Sequence, residues 1–459
     1  MTKQPQRLLI IGGSDAGISC GLRVKELDAS TQVTILLQDQ FPNLSICGIP
    51  YVIGGEVTPW QNLAHRSLAT LQSTGINFVM NTTVSEIHAT DHQVVATHTD
   101  THQTEVYEYD QLLVGTGARP LVPAIDGLEA AHERIRVLHT MADFFAIEAL
   151  LSQPTMKRVA ILGSGYIGLE MAEALWHRNL AVTIFQRGIE VLSTLDDDLG
   201  KIVHQELLAH DIEVITDANV SKISPSATGI SVQFGKEASQ TADFDLLLVV
   251  TGVTPNSELL EQAGALLDQH HAVQVDDQMH TSLQDIWAAG DLVATKHRLL
   301  KSAYLPLGTT SHKQGRVAGS NIAGHPVAFQ GIVGTQVLKI FDLVAARTGL
   351  TTQEARHAGF DSIDQVSVLD DHKAYIPGSK PITIKIIGDR NTGRLLGAQL
   401  IGAYGSEVAK RNDIYAVAIY NGMSVAEVSD LDLSYSPPLG SPWDAVQAAT
   451  QAWEMHKYY

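Results

Sequence analysis

Cys47 stands in FPNLSICGIPYVIGGEV, residues 41–57, and is one of only two cysteines among 459 residues. Turn formers and a Gly-x-Pro surround it. A helix starting after Gly48 or Pro50 would aim the positive end of its dipole at the sulfur and lower the pKa of the thiol. Locally, Cys47 therefore reads either as a nucleophile and electron carrier or as a structural cysteine. Cys20, in AGISCGLRVKELD, falls among apolar residues at helical spacing and reads as a small buried hydrophobe.

The elements that could position such a thiol come in two copies. QRLLIIGGSDAGISCGLRVKELDASTQVTILLQD reads as strand, glycine turn, amphipathic helix and second strand, with Gly12 making the turn and Gly17 allowing close packing of the helix. A pyrophosphate would sit on that helix N-terminus, beside Ser14 and Asp15. Ser14 replaces the middle glycine. The acid expected at the end of the second strand is displaced by one or two residues, to Asp39. In KRVAILGSGYIGLEMAEALWHRNLAVTIFQRG the fingerprint is complete, with Gly163, Gly165 and Gly168 enclosing Tyr166 and Ile167 and followed by Glu170. Its second strand ends in Gln186 and Arg187, where a carboxylate would otherwise bond a ribose 2′-hydroxyl, and this favours a 2′-phosphate.

Further apolar strands run into Thr116, Gly117 and Arg119 (GTGARP), into Gly252 (TGVTPN), and into Gly290 and Asp291 (AAGD). A carboxylate at such an edge can accept hydrogen bonds from ligand hydroxyls, or simply cap a helix. The length suggests about three domains, and 44% hydrophobic residues is enough for several cores. A formal charge of −19 argues against nucleic acid and anionic membrane surfaces, and no apolar run approaches a membrane span. Without a secretory leader or a disulfide framework, a cytoplasmic protein is expected. The spaced histidines His88, His92, His98 and His102 lie in a pattern that reads as a solvated hairpin, and no metal site is expected.

The ordered set GGSDAG, SICGIP, GTGARP, GSGYIGLE, VTGVTPN and IWAAGD resembles the FAD- and pyridine-nucleotide-dependent disulfide reductase superfamily. More narrowly it is similar to the single-cysteine branch that includes coenzyme A disulfide reductase, NADH oxidase, NADH peroxidase and persulfide reductase. The similarity continues through GIVGTQVLKIFDLVAARTGLT and LDLSYSPPLGSPWDAV, which resemble that branch's dimerisation domain. The resemblance implies an α/β chain with two dinucleotide-binding Rossmann-like domains and a C-terminal α+β dimerisation domain. Residues 1–120 and 252–325 would bind FAD, residues 121–251 NADPH or NADH, and residues 326–459 would form a homodimer. Gly12, Gly17, Thr116 and Gly117 would face the adenosine half of FAD, with Asp291 on its ribityl chain. Gly163, Gly165, Gly168 and Glu170 would serve the nicotinamide cofactor. Cys47 would face the flavin, and with no second cysteine nearby its oxidised form must be a sulfenic acid, a mixed disulfide or a persulfide.

Departures from the branch sort the substrates. Asp15 stands where peroxidase and oxidase members carry a histidine, which weakens peroxide chemistry. Tyr375 in AYIPG and Tyr435 in SYSPP match tyrosines of coenzyme A disulfide reductases, one of them contributed across the dimer, and could protonate a leaving thiolate. Around the cysteine, Asn43, Ser45 and Ile46 rearrange the usual flanking residues, which opens the site to smaller or polymeric sulfur substrates. Arg23 and Lys25 could meet a phosphate-bearing substrate. The expectation is an NAD(P)H-dependent reductase of a disulfide, persulfide or polysulfide. An NADH oxidase or peroxidase is the alternative, followed by a low-turnover flavin redox sensor.

Overall fold

A computed structural model describes residues 6–129 and 132–457. Residues 1–5, 130–131 and 458–459 of the three expected domain ranges lie outside the described residues. Leu8 to Ile11 are buried on both faces, as a central parallel strand requires. Their strand, Arg7–Ile11, lies in the middle of five parallel strands in the order Ile286–Ala288, Gln111–Val114, Arg7–Ile11, Gln32–Leu36, Ile76–Val79. Helix Asp15–Leu27 crosses over this sheet and buries Ile18, Cys20 and Val24. Helix Gly308–Ile322 lies so close to it that a Cβ on Gly315 would stand 2.2 Å from the Ala16 carbonyl oxygen, and one on Gly319 2.6 Å from that of Cys20. Desolvation in this seam pushes the Cys20 thiol far above its ordinary pKa, as a structural cysteine.

The second unit repeats the pattern. Its five parallel strands run Glu213–Ile215, Ala181–Phe185, Arg158–Leu162, Leu246–Val249, Ile135–Val137. Each unit also carries a three-stranded antiparallel meander, Thr82–His88 to Thr104–Glu108 in the first and Lys222–Pro225 to Gln240–Phe244 in the second. The chain leaves and re-enters the first unit along one two-stranded ribbon, Ala118–Pro120 against Val253–Pro255. The expected α/β class with two nucleotide-type sheets is therefore present.

From Gln336 onward a five-stranded antiparallel sheet forms, in the order Gln336–Ile340, Leu343–Gly349, Leu395–Ala403, Pro381–Asp389, Ser362–Asp370. Helices Val408–Tyr420 and Ala445–Lys457 pack on it through buried Tyr415 and Trp453. Two ionic anchors tie this C-terminal domain to the second unit. Glu173 accepts from Lys339 Nζ at 2.6 Å and from the Phe341 amide at 2.8 Å. Buried Lys385 lies 3.1 Å from Asp196, 3.0 Å from Asp198 and 3.2 Å from Asp364.

Candidate active site

In both parallel sheets the strand order reverses beside the central strand, which opens a crevice at the carboxyl ends where nucleotides bind. Gly12, at φ 104°, turns the chain at the first crevice, and a Cβ there would stand 2.2 Å from the Gly115 carbonyl oxygen. A Cβ on Gly17 would be 1.9 Å from the oxygen of Gly12. Gly163, at φ 108°, and Gly168 repeat these contacts at 2.6 Å and 2.2 Å. Gly165 is different. A Cβ on it would meet nothing within 4 Å, and the neighbouring Ser164 hydroxyl is buried without a hydrogen-bond partner. The protein does not itself require glycine there. The open space leaves room for a ligand at the start of helix Tyr166–His177, and a dinucleotide pyrophosphate would fit there.

In the first crevice Ser14 precedes helix Asp15–Leu27 without a capping side-chain bond. Helix Gly308–Ile322 begins at the same corner, since a Cβ on Gly308 would lie 3.0 Å from Asp15 Oδ2. Two helix N-termini thus converge where an anion is favoured. Asp291 accepts from Ser311 Oγ at 2.9 Å, and burial raises its carboxyl pKa. The amide of Gly290 donates to Gln314 Oε1 at 2.9 Å. Thr116 Oγ1 donates to Asn256 O at 2.7 Å, and Gly117 and Gly252 both take positive φ. Arg119, expected at the cofactor, donates to Pro255 O and Asn256 Oδ1 at 3.1 Å and pairs with Glu258. The exposed Asp39 carboxylate accepts from the Phe41 amide at 2.9 Å. In the second crevice Gln186 Nε2 donates to Glu190 O at 3.0 Å, while exposed Arg187 has no ion pair among the described residues. Ile167 is exposed, and burial raises the pKa of Tyr166.

Cys47 lies in the short 3₁₀ turn Ile46–Gly48, directly before helix Ile49–Ile53, with its side chain exposed on one side. The expected lowering of its pKa by a helix dipole is overturned. Burial by the surrounding walls and the negative charges of Glu170, Asp15 and Asp291 together push the thiol up. The helix is only five residues long, and burial is the largest cause of the rise. Glu170 is itself raised to about 7 by burial. Its Oε1 faces Tyr51 Oη at 3.4 Å.

Tyr375 and Tyr435 come together on exposed loops of the C-terminal domain. The Lys373 amide donates to Pro437 O at 3.2 Å, and desolvation and the Tyr375 hydroxyl both raise Tyr435. Beside helix Asp15–Leu27 a cleft of about 430 Å³ is lined by Ser19, Arg23, Arg66, His312, Lys313 and Arg316. His312 joins this cleft to the thiol corner, with Nδ1 2.8 Å from Ser19 Oγ and Nε2 3.4 Å from Asp15 Oδ1. Sequence reasoning identified Arg23 but missed Tyr51, Arg66, His312, Lys313 and Arg316. A signal was available in SHKQGR, where Lys313 and Arg316 are three apart on one helical face.

Comparison with known proteins decides the family. The pyridine nucleotide-disulphide oxidoreductase model matches residues 6–315, and the dimerisation-domain model of the same family matches residues 335–445. The chain belongs to this family. It is 31% identical over 443 residues to the NAD(P)H coenzyme A polysulfide/persulfide reductase of Pyrococcus horikoshii, covering 96% of each chain. Among solved structures it superposes on the NAD-dependent persulfide reductase of A. fulgidus with a TM-score of 0.94 and 31% identity, covering 98% of this chain and 83% of that one. It also superposes on an engineered water-forming NADPH oxidase bound to NADPH, derived from the Lactobacillus brevis NADH oxidase. There the TM-score is 0.93 and the identity 25%, over 98% of this chain and 99% of that one. That oxidase's substitutions include an aspartate changed to alanine followed immediately by an alanine changed to arginine. This pyridine nucleotide-disulphide oxidoreductase is an NAD(P)H-dependent flavin oxidoreductase whose cofactors are FAD and NAD(P)H. No helix among the described residues is long and apolar enough to cross a membrane.

Proposed function

We propose that this flavoprotein reduces sulfur substrates linked to coenzyme A, whether disulfide, persulfide or polysulfide, with Cys47 as its single redox-active thiol. The observation that carries this reading is the cleft between Arg23, Arg66, Lys313 and Arg316. On a chain with a net charge of −19, four cations facing one glutamate, Glu26, form a local site for a multiply phosphorylated substrate. Asp15 links that cleft to the thiol, because its charge acts on Cys47 and its Oδ1 stands beside His312. FAD supplies the conversion of a nicotinamide hydride into an electron pair for sulfur. For a disulfide the balance is RSSR + NAD(P)H + H⁺ → 2 RSH + NAD(P)⁺. Cys47, after giving up its proton to solvent, attacks one sulfur as thiolate, the S–S bond breaks and a mixed disulfide remains on the protein, which the electron pair drawn from NAD(P)H would then cleave to release the second thiol and restore the Cys47 thiolate. The departing thiolate needs a proton, and the Tyr375–Tyr435 pair, which stands together on one C-terminal domain, supplies it from the partner in a homodimer.

In the first crevice Gly12, Ser14, Asp15, Gly17, Asp39, Thr116, Gly117, Gly290 and Asp291 serve FAD. In the second, Gly163, Gly165, Tyr166, Ile167, Gly168, Glu170 and Gly252 serve the nicotinamide cofactor. Arg119 braces the ribbon between the two. Gln186 and Arg187 favour NADPH, the same change of chemistry that the engineered oxidase carries. The domain ranges given above and a cytoplasmic location belong to this reading.

The test is anaerobic reduction of the protein by NADPH, followed by stopped-flow reoxidation with coenzyme A disulfide, coenzyme A persulfide, polysulfide, peroxide or oxygen. Fast reoxidation by the coenzyme A substrates, slowed when Arg23 and Lys313 are replaced by alanine, supports the proposal. Fast reoxidation by oxygen or peroxide alone makes the protein an oxidase or peroxidase.

A further inference from the structure

One helix of the nicotinamide unit holds the thiol-bearing segment at both ends. At the far end Arg178, the C-cap of helix Tyr166–His177, donates from Nε to Ile53 O at 2.6 Å. Midway, a Cβ on Gly54 would stand 3.3 Å from Ala174 Cα. At the near end Tyr51, one helical turn beyond Cys47, donates its phenolic hydrogen to Glu170 Oε1 at 3.4 Å. This is the only hydrogen bond to the Glu170 carboxylate among the described residues, and no cation pairs with it there. The titratable groups facing it are Cys47 and Tyr51 from the thiol segment, with Glu56 behind Tyr51, and Tyr166 and Glu173 from its own helix. Glu173 is bound by Lys339 and the Phe341 amide, and its charge adds to the rise of Glu170. An ionised carboxylate is acceptor-only, so Glu170 can receive N–H or O–H donors. The nicotinamide riboside end of a dinucleotide seated on Gly165 carries such donors.

We propose that Tyr51 is a positioning residue of the nicotinamide site: its hydroxyl orients the Glu170 carboxylate toward the bound dinucleotide, which makes the thiol-bearing helix one wall of the hydride-donor pocket. This rests on the reading of the second crevice as the NAD(P)H site. Tyr51's bond favours the ionised form of Glu170 and opposes the burial that raises it. Removing the hydroxyl therefore leaves the carboxyl protonated to higher pH.

Calorimetric titration of the FAD-loaded protein with NAD⁺ and with NADP⁺, on both sides of neutral pH, tests this. Tyr51→Phe is expected to weaken both by about three- to tenfold, the scale of one ordinary hydrogen bond, because Tyr51 acts on the dinucleotide only through Glu170. It should also move the pH midpoint of affinity upward relative to wild type, a comparison in which the titration of the 2′-phosphate cancels. Glu170→Gln should weaken binding by itself, and adding Tyr51→Phe to it should change nothing more. Unchanged affinity and midpoint in Tyr51→Phe, or unchanged affinity in Glu170→Gln, overturns the inference alone. A wild type that holds FAD but binds neither dinucleotide overturns the function above together with it.

Discussion

Arg178 and Ile53 are 125 positions apart, yet the guanidinium closes the end of the helix that Cys47 precedes. The same guanidinium grips Glu148 with Nη2 at 2.9 and 2.7 Å. Arg178→Met should lower the unfolding free energy by about 1–3 kcal/mol, because it leaves a carbonyl and a carboxylate without their donor. Chemical denaturation with the flavin retained measures it.

Cys47→Ser should abolish turnover of disulfide and persulfide while flavin reduction by NAD(P)H remains nearly intact, since only the second half-reaction needs the thiol. Single-turnover kinetics of each half-reaction checks this, and full disulfide turnover by the variant would show that Cys47 is structural.

Charge near the thiol gives a separate measurement. Asp15 is one of the carboxylates that raise Cys47, so Asp15→Asn should lower the thiol pKa and increase the thiolate fraction. Alkylation of Cys47 by iodoacetamide at a fixed pH below that pKa should then be measurably faster than in wild type. A slower reaction contradicts the electrostatic account.

Gln186→Glu should swing preference from NADPH toward NADH, and Arg187→Ala should weaken NADPH without weakening NADH. Ratios of kcat/KM for the two cofactors decide it. A wild-type preference for NADH above about tenfold, or 1.4 kcal/mol, removes the basis for this reading.

Lys385→Met should destabilise the fold by about 3–5 kcal/mol, because Asp196 and Asp364 would be left together without their cation. Burial pushes Asp196 up, but the Thr352 hydrogen bond and the Lys385 charge outweigh it and hold the carboxyl below its ordinary value. A depressed carboxyl contributes stability fully above its unfolded pKa, about 4, and loses it as pH falls through the lower folded value. Acid unfolding in this window should be shallower in Lys385→Met than in wild type.

The sequence displayed what periodicity and glycine spacing encode. Both turns at Gly12 and Gly163, the burial of Cys20 and the hairpin around His98 could be read directly, because each leaves a local pattern of spacing, even though Gly115, Val250 and helix Gly308–Ile322, which close on the first three, lie far along the chain. The polarity of the Cys47 environment could not. Asp15, Glu170 and Asp291 come from three segments, and only the folded chain gathers them around the sulfur. The cleft was half legible for the same reason, since Arg23 lies on a recognisable helix whereas Arg66, Lys313 and Arg316 reach it from distant parts of the chain.

The anchors at Glu173 and Lys385 bear on how the dinucleotide gains access. Swinging the second unit away from the C-terminal sheet would strip Lys339 and Lys385 from their carboxylates and leave buried charges uncompensated, so such a motion is expensive. The second unit and the C-terminal sheet are therefore expected to stay locked together through the catalytic cycle, a fixed floor beneath the nicotinamide crevice rather than one half of a closing jaw.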